Sequence, residues 1–534
     1  YTIHLTKINL MKNYDIAIVG YGPVGAMAAN MFGSSNLNII VIEPKNDIWD
    51  IPRAVALDGQ AQRIFQSIDI INEIPVKPID GLTFINKKGK ELVYVDFADH
   101  SKPNGYSETV GFNQPNFERT LRSKVDSYKN ITLKLGSSLK DLISTENTNE
   151  LTLIDNLTDE SENISATYLL ACDGADSFVR KHLDISSFDY KCEQDWIVVD
   201  YELDSKYEIK CSPHQICDYE RPTTLAPIMG QHIRWEFKYN EDDNEIEMED
   251  ENNIREMMKS HAWRINPNLD ISTGKLLRAS KYKFHGLIAD NFRSNNCFLL
   301  GDSAHQMPPF LGQGLCQGIK DVYNLHWKLI GVIKGIYSEK ILDTYSQERK
   351  AIVSSVTETA IKQGNIIGTQ NRYIAYMRDF ILKCAGIFPS LLSFFQFYHP
   401  WPIKDGLIDK TLFKNKANGI VIPQPDISIN IDNKAFDQYI GYNFALLIFN
   451  EDDEILDEIK LIKNAKIYGG NIYQFKSDHP FNKDKSFLNW QKKHNIGAVI
   501  IRPDRHVYGC CEDNKILDKI NMLTNQLHKE LYLN

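Results

Sequence analysis

No two of the nine cysteines in this 534-residue chain stand at CxxC spacing, and no histidine pair accompanies them at ligand distance. A dithiol redox centre and a structural zinc are therefore not expected, and an odd cysteine count suits a reducing cytoplasm. The vicinal Cys510-Cys511 reads as a coincidence at a strand edge. Positive charge is also short: 60 Lys and Arg face 70 Asp and Glu, a net charge of -10. That excludes the basic footprint that nucleic acid demands. No apolar run reaches the ~18 residues a spanning helix needs. The best candidate, Phe380 to Tyr398, is interrupted by Lys383, Pro389 and Gln396, and is expected to form buried linking helices. The first ten residues, Tyr1 to Leu10, lack the cationic start and apolar core of a signal peptide, so Met11 is the expected initiator and the residues before it a leader or remnant. The acidic tract Glu241 to Glu251 reads as a solvated loop leading into a helix at Ile254. No Ser/His/Asp or paired-charge constellation calls for a hydrolase.

A hydrophobic content of 43% lets a chain of this length bury large cores in two or three domains. The run Tyr14-Asp15-Ile16-Ala17-Ile18-Val19 is short, apolar and β-branched, as a strand buried on both faces would be. Gly20-Tyr21-Gly22-Pro23-Val24-Gly25 follows at once. Gly20 allows the tight turn, Gly22 lets backbone approach a pyrophosphate, and Gly25 permits close packing of the helix Ala26 to Phe32, whose first amides face the anion. A second strand, Asn38 to Ile42, ends in Glu43, near the ~20-residue offset at which an acid bonds a ribose hydroxyl.

Two further stretches repeat the strand-then-acid pattern. Thr167 to Gly174 ends in Asp173 and Gly174, with Arg180 on the helix that follows; Asn296 to Asp302 ends in Gly301-Asp302 and leads through His305 and Pro309 into Gly312-Gln313-Gly314. An acid at the C-terminal end of a parallel strand sits where α/β sheets bind ligands. The stretch after Gly312 opens a helix, Ile319 to Leu329, whose positive end can face a flavin carbonyl or a pyrophosphate.

In order and separation these three elements resemble the fingerprints of the single-component FAD-dependent aromatic hydroxylases, the p-hydroxybenzoate and phenol hydroxylases, and most closely the 3-(3-hydroxyphenyl)propionate hydroxylase branch. Pro52-Arg53-Ala54, Asp195 to Asp200 and Arg234-Trp235-Glu236-Phe237 extend the likeness, which covers residues 12 to 420 well. The resemblance implies non-covalent FAD, with Glu43 on the adenosine ribose, Arg53 and Gln114 at the phosphate and ribityl region, and Asp302 on the ribityl chain. It further assigns Gly20, Gly22, Pro23, Val24, Gly25 and Leu139 to the cofactor, ties Asp173, Gly174 and Arg180 to FAD and nicotinamide binding, and brings Pro309, Gly312, Gly314, Leu315 and Cys316 close to the isoalloxazine ring. Many relatives carry Asn at Cys316, which is read as a flavin-loop residue and not a nucleophile. The implied chemistry is reduction of FAD by NADPH or NADH, addition of O2 to give a flavin hydroperoxide, and oxygen transfer to a phenolic ring. No metal is called for.

The implied fold is a Rossmann-like FAD domain with an inserted antiparallel sheet and a C-terminal thioredoxin-like domain. Its expected segments are 12–190, 191–285 as the β-rich substrate domain, 286–420 as the return with linking helices, and 421–534. The last is expected to be structural or a homodimer interface. Gln215, Tyr219, Arg234, Trp235 and His285 are the candidates for the substrate cavity, with Arg234 suited to a carboxylate; His305 reads as structural. Baeyer–Villiger or antibiotic-modifying chemistry on the same scaffold is the close alternative, and a catalytically silent flavin-binding partner protein the distant one. A halogenase is disfavoured because Trp49-Asp50-Ile51-Pro52 is not a WxWxIP motif.

Overall fold

A computed structural model of the chain describes residues 11–97, 102–209, 212–244, 250–388, 401–462, 464 and 470–532. The chain divides into two compact units. One holds the described residues of Tyr1–Asp50 with Glu118–Phe188 and Ile288–Gln306, and the other holds Ile51–Phe117, Asp189–Leu287 and Met307–Asn534.

The first unit is built on an eight-stranded sheet whose parallel core runs Cys297–Leu299, Ser161–Ala171, Lys12–Val19, Ile39–Glu43, Ile131–Leu135. Ile16, Ile18, Ile40, Val41, Leu169 and Leu170 are wholly buried, as strands covered on both faces require. Each contributes on the order of 1.5–3 kcal/mol by leaving water. The helix Pro23–Gly33 buries every residue from Gly25 onward, which its alanines permit. Asn30, fully buried within it, donates to the carbonyls of Ala26 and Leu121. Two antiparallel strands, Ser137–Ser144 and Asn149–Asp155, extend the sheet beside Ser161–Ala171.

The second unit carries a seven-stranded sheet in the order Lys275–Phe284, Gln194–Glu202, His232–Lys238, Thr223–Pro227, His214–Cys217, Gly81–Asn86, Glu91–Asp96. The sheet differs from the expected antiparallel insert over 191–285: its last two strands come from a stretch well before that segment, and His214–Cys217 runs parallel to Gly81–Asn86. The helix Glu251–Ala262, capped by the Asp250 carboxylate, covers one face. Ile197, Val199, Tyr201, Leu225, Trp235 and Phe237 meet Ile254 and Met258 there. Long helices Gly314–Ile333 and Asp343–Ile367 follow, then a four-stranded terminal sheet. Ile288–Gln306 belongs to the first unit, and the helices from Met307 onward to the second.

The expectation of buried helices over Phe380 to Tyr398 is corrected in its described part. The helix Arg372–Ile387 buries only Ala375, Arg378, Leu382 and Ala385. The remainder, 389–400, lies outside the described residues, as do 245–249 of the acidic tract. No described helix is long and apolar enough to cross a membrane.

Candidate functional site

In the first unit, the three motifs and Glu43 all stand at the C-terminal ends of four adjacent strands. Gly20 sits at φ +97°, and a Cβ there would lie 2.3 Å from the Cys172 carbonyl oxygen; one on Gly25 would lie 2.0 Å from the oxygen of Gly20. Gly22 is different: a Cβ would meet nothing within 4 Å. Gly22 caps the helix Pro23–Gly33 without any side-chain bond, so Val24 and Gly25 begin a helix whose positive end is bare. The Glu43 carboxylate accepts the backbone N–H of Tyr21 at 2.7 Å and that of Lys45 at 3.0 Å, which fixes it beside the glycine turn.

The Asp173 turn is tied to the first strand by Cys172 N–H donating to the Val19 carbonyl at 2.7 Å. Asp173 Oδ2 accepts from Val179 N–H at 3.0 Å, while its other oxygen is buried and bonds to no described residue. Burial pushes this carboxyl up, against bonds from Ser177 and Val179. Gly174, at φ +81°, again faces open space. The Arg180 guanidinium spends its bonds on backbone, donating to the carbonyls of Ser303 at 2.8 Å and Ala175 at 3.0 Å. It therefore clasps the second and third turns together. Asp302, on the 3-10 turn Gly301–Ser303, is exposed. Leu139 is buried opposite Leu153 in the hairpin.

A polar cavity of about 480 Å³ adjoins the same turn, lined by Tyr21, Asn46, Asp47, Asp50, Arg119 and Arg122. Arg122 donates to the Tyr21 carbonyl at 2.7 Å and lies 4.4 Å from its ring; Arg119 pairs with Asp50. Sequence reasoning does not select these two arginines. Their i, i+3 spacing on Gln114–Val125 was the available signal.

In the second unit, the loop carrying Arg53 is held from two sides. The Gln114 amide oxygen accepts both Arg53 N–H, at 2.8 Å, and Ala54 N–H, at 2.7 Å. Arg234 donates to the carbonyls of Arg53 at 2.7 Å and Pro52 at 2.5 Å. Its remaining bonds go to Asp200, a fully buried carboxylate also bonded by His232 and Arg278. Burial opposes that charge, yet His232, Arg234 and Arg278 hold it well below the usual carboxylate range. The Arg53 side chain itself is exposed.

The glycine-rich loop follows the same logic as the first turn. Gly312 adopts φ +62°, and a Cβ there would have only Ala56 near it, at 3.9 Å; Gln313 caps the helix Gly314–Ile333 without a side-chain bond. Pro309 is exposed and Leu315 half-buried. Cys316 is wholly buried, and burial together with Asp58 pushes its thiol up to about 12, which leaves it protonated and no nucleophile. Nearby, Lys320 pairs with Asp58 at 2.5 Å, and burial plus Asp58 raises Glu108 to about 7.

The cavity candidates separate. Strand neighbours point to opposite faces, so Arg234 and Trp235 cannot share one. Trp235 lies in the core with Tyr201 and Met258, on the face covered by Glu251–Ala262, which corrects its assignment to the cavity. Arg234, for its part, already has a carboxylate in Asp200. Gln215 is buried and satisfied within the sheet by Thr223 and Thr224. Tyr219 stands 6.1 Å from Tyr376, with Lys87 above its ring. His285 is half-buried just beyond the strand Lys275–Phe284. His305 is buried with its ring 5.9 Å from Phe292, a core placement.

Glu236 is a residue that motif and spacing do not single out. Strand register places it beside Thr224, which in turn pairs with Gln215, so all three occupy the face of Arg234. Burial pushes its carboxyl up, with Arg234 acting against. Trp196, Phe284 and Phe310 form an aromatic cluster on the same strand system, with centroids 5.7–6.1 Å apart.

Residues 13–360 match the family model described as FAD binding domain, and residues 419–526 match one described as HcaD C-terminal domain. The chain is 27% identical over 535 residues to the 3-(3-hydroxy-phenyl)propionate/3-hydroxycinnamic acid hydroxylase of Shigella sonnei, covering 96% of this chain and 94% of the relative. Among solved structures, the flavin-dependent monooxygenase PieE in complex with FAD and substrate superposes with a TM-score of 0.78 at 17% identity, over 97% of this chain and 99% of that one. The substrate-free rebeccamycin biosynthetic enzyme RebC gives 0.71 at 18% identity, over 96% and 99%. With glycine turn, strand-end acids and glycine-rich loop matched across one family model that spans most of the chain, this protein belongs to the FAD-binding family of flavoprotein monooxygenases.

Proposed function

We propose that the chain hydroxylates a phenolic substrate with FAD, NADPH or NADH, and O2. One observation carries this reading: Gly20–Gly25, Glu43, Asp173 and Asp302 line the ends of four neighbouring parallel strands. The open space at Gly22 and Gly174, the bare helix start and the orphaned Asp173 oxygen suit a dinucleotide. Within the first unit, the helix beginning at Pro23 would face the pyrophosphate, Glu43 the ribose and Asp302 the ribityl chain. Within the second, Gln114 would set the Arg53 loop, and Gly312, Gly314, Leu315 and Cys316 would offer backbone to the ring. Bound FAD supplies acceptance of hydride and activation of O2. What remains for side chains is to place the ring and keep water out. Glu236, whose carboxyl burial pushes up from its ordinary value, is suited to orienting a phenolic hydroxyl.

A phenolic acid like that named for the Shigella relative is the first substrate class to try. Intermediates of a biosynthetic route, as in the name of the rebeccamycin enzyme, are the second. The terminal region is read as thioredoxin-like. Supporting this, Ala445–Ile448 pairs parallel with Asn471–Gln474 and antiparallel with Ala498–Ile501, which pairs antiparallel with Val507–Cys511. Burial raises the Cys510 and Cys511 thiols, Cys511 to about 12, which suits a structural and not a redox role. The test of the whole reading is NADPH consumption across a phenol panel that includes 3-(3-hydroxyphenyl)propionate, with product mass. A product one oxygen heavier supports it; flavin-loaded protein whose NADPH use no phenol alters opposes it.

A further inference from the structure

The helix Arg372–Ile387 has a second apolar face turned to solvent. Its inner face, Ala375, Arg378, Leu382 and Ala385, rests on the unit, with Leu382 in the core that holds Val93 and Val95. At 100° per residue, Tyr373, Tyr376, Met377, Phe380, Ile381 and Ile387 occupy an unbroken outer arc of about 140°. These six are between 43% and 82% exposed. A helix apolar nearly all round normally has something over both faces, and a contiguous patch of this kind marks an interaction surface.

The edge of the arc states the partner's charge. The polar strip is Arg372, Asp379 and Lys383, and Asp379 is bound to Arg378 at 2.9 Å. Arg372 donates to the Tyr376 hydroxyl at 3.2 Å, and Lys88 acts on the same phenol from the turn before Glu91–Asp96. Neither Arg372, Lys383 nor Lys88 has a carboxylate within ion-pair distance among the described residues. Glu220, which also acts on Arg372, is itself paired with Lys87, and Asp379 with Arg378, so Arg372, Lys383 and Lys88 leave a local excess of positive charge on a chain of net charge -10.

We propose that this helix docks the protein on an anionic lipid surface, lying in the plane of the interface with Tyr373, Met377 and Phe380 among the acyl chains and Arg372, Lys383 and Lys88 at the headgroups. A second copy fits less well. A twofold axis that pairs two such helices antiparallel lays the basic edge of one against the same edge of the other. No crossing of the bilayer is involved, in keeping with the absence of a spanning helix among the described residues.

The test is flotation of the full chain with vesicles of phosphatidylcholine alone and with about 30% phosphatidylglycerol, at low and high salt. The bound fraction should rise at least tenfold on the anionic vesicles and fall with salt. Each basic residue contributes about fivefold in partitioning, so Arg372→Ser with Lys383→Ser should weaken binding by about twentyfold or more. Phe380→Ser with Met377→Ser should abolish it while circular dichroism stays unchanged. Equal, weak flotation on both vesicles overturns the proposal. So does a concentration-dependent dimer in light scattering that the Phe380 and Met377 changes dissociate. Should the apolar variant misfold, the charge variant still decides.

Discussion

Gln114 holds Arg53 by the backbone: one amide oxygen accepts the N–H groups of Arg53 and of its neighbour Ala54, at 2.8 and 2.7 Å. Replacing Gln114 with Ala orphans both donors, while Arg234 still grips the carbonyls on the other side. An unmet donor costs about 1–3 kcal/mol where water cannot replace the partner. Flavin affinity should therefore fall by about tenfold while the fold persists, as read by titration of FAD fluorescence. Unchanged affinity would remove this loop from the cofactor site.

Gly22 and Gly25 should fail in opposite ways. Gly22 has φ -69° and no atom within 4 Å of a new methyl, so Gly22→Ala should leave the thermal midpoint unmoved yet weaken FAD binding, because the free space belongs to the pyrophosphate. Gly25→Ala drives a methyl to 2.0 Å from the Gly20 oxygen and should destabilise the apoprotein itself. Thermal melts with and without FAD separate the two.

Arg502 anchors the terminal region through Glu348 and Asp504, and Lys328 reaches the same Glu348 oxygen at 2.7 Å; all of these groups are essentially without exposure. Burial works against every one of these charges, yet Arg502 and Lys328 hold Glu348 down to about 2, and burial draws Lys328 to about 8. Arg502→Ala takes the guanidinium from Asp504 and leaves Glu348 with Lys328 as its cation, and should cost about 3–5 kcal/mol. Limited proteolysis should then release fragments cut after about residue 420, at temperatures where the parent chain resists.

Glu108 supplies a pH signature. Burial, then Asp58, raises its carboxyl to about 7 in the folded chain from the ordinary 4.5. A raised acid favours the folded state fully below about pH 4.5 and loses that contribution as pH climbs through about 7. Glu108→Gln should thus match the parent near pH 4.5 and melt higher than it above pH 7. Parallel melting curves across that window would refute the assignment.

How much of this was legible depends on how local the signal is. Strand, glycine turn, helix and terminal acid lie within residues 14 to 43, so spacing alone placed Gly22 and Glu43. Asp173 and Asp302 were legible because each ends a short apolar run. Long-range register was not: nothing in Gly81–Asn86 announces that it pairs with His214–Cys217. Arg234 and Trp235 both stood as cavity candidates because period-two alternation makes them face apart without telling which of them faces the helix Glu251–Ala262. Glu236 escaped notice because a carboxyl on an alternating strand looks solvated until the register buries it beside Thr224. The outer face of Arg372–Ile387 was missed for the converse reason, since an apolar helix reads as core.

The most direct test of the central claim is turnover of the FAD-loaded chain with NADPH and isotopically labelled O2 in the presence of a phenol that accelerates NADPH oxidation. One labelled oxygen is expected in the aromatic product, with slower oxidation of NADPH when the phenol is withheld. Protein that cannot be loaded with FAD, or that consumes NADPH at the same rate with every phenol and returns each unlabelled, would contradict that claim.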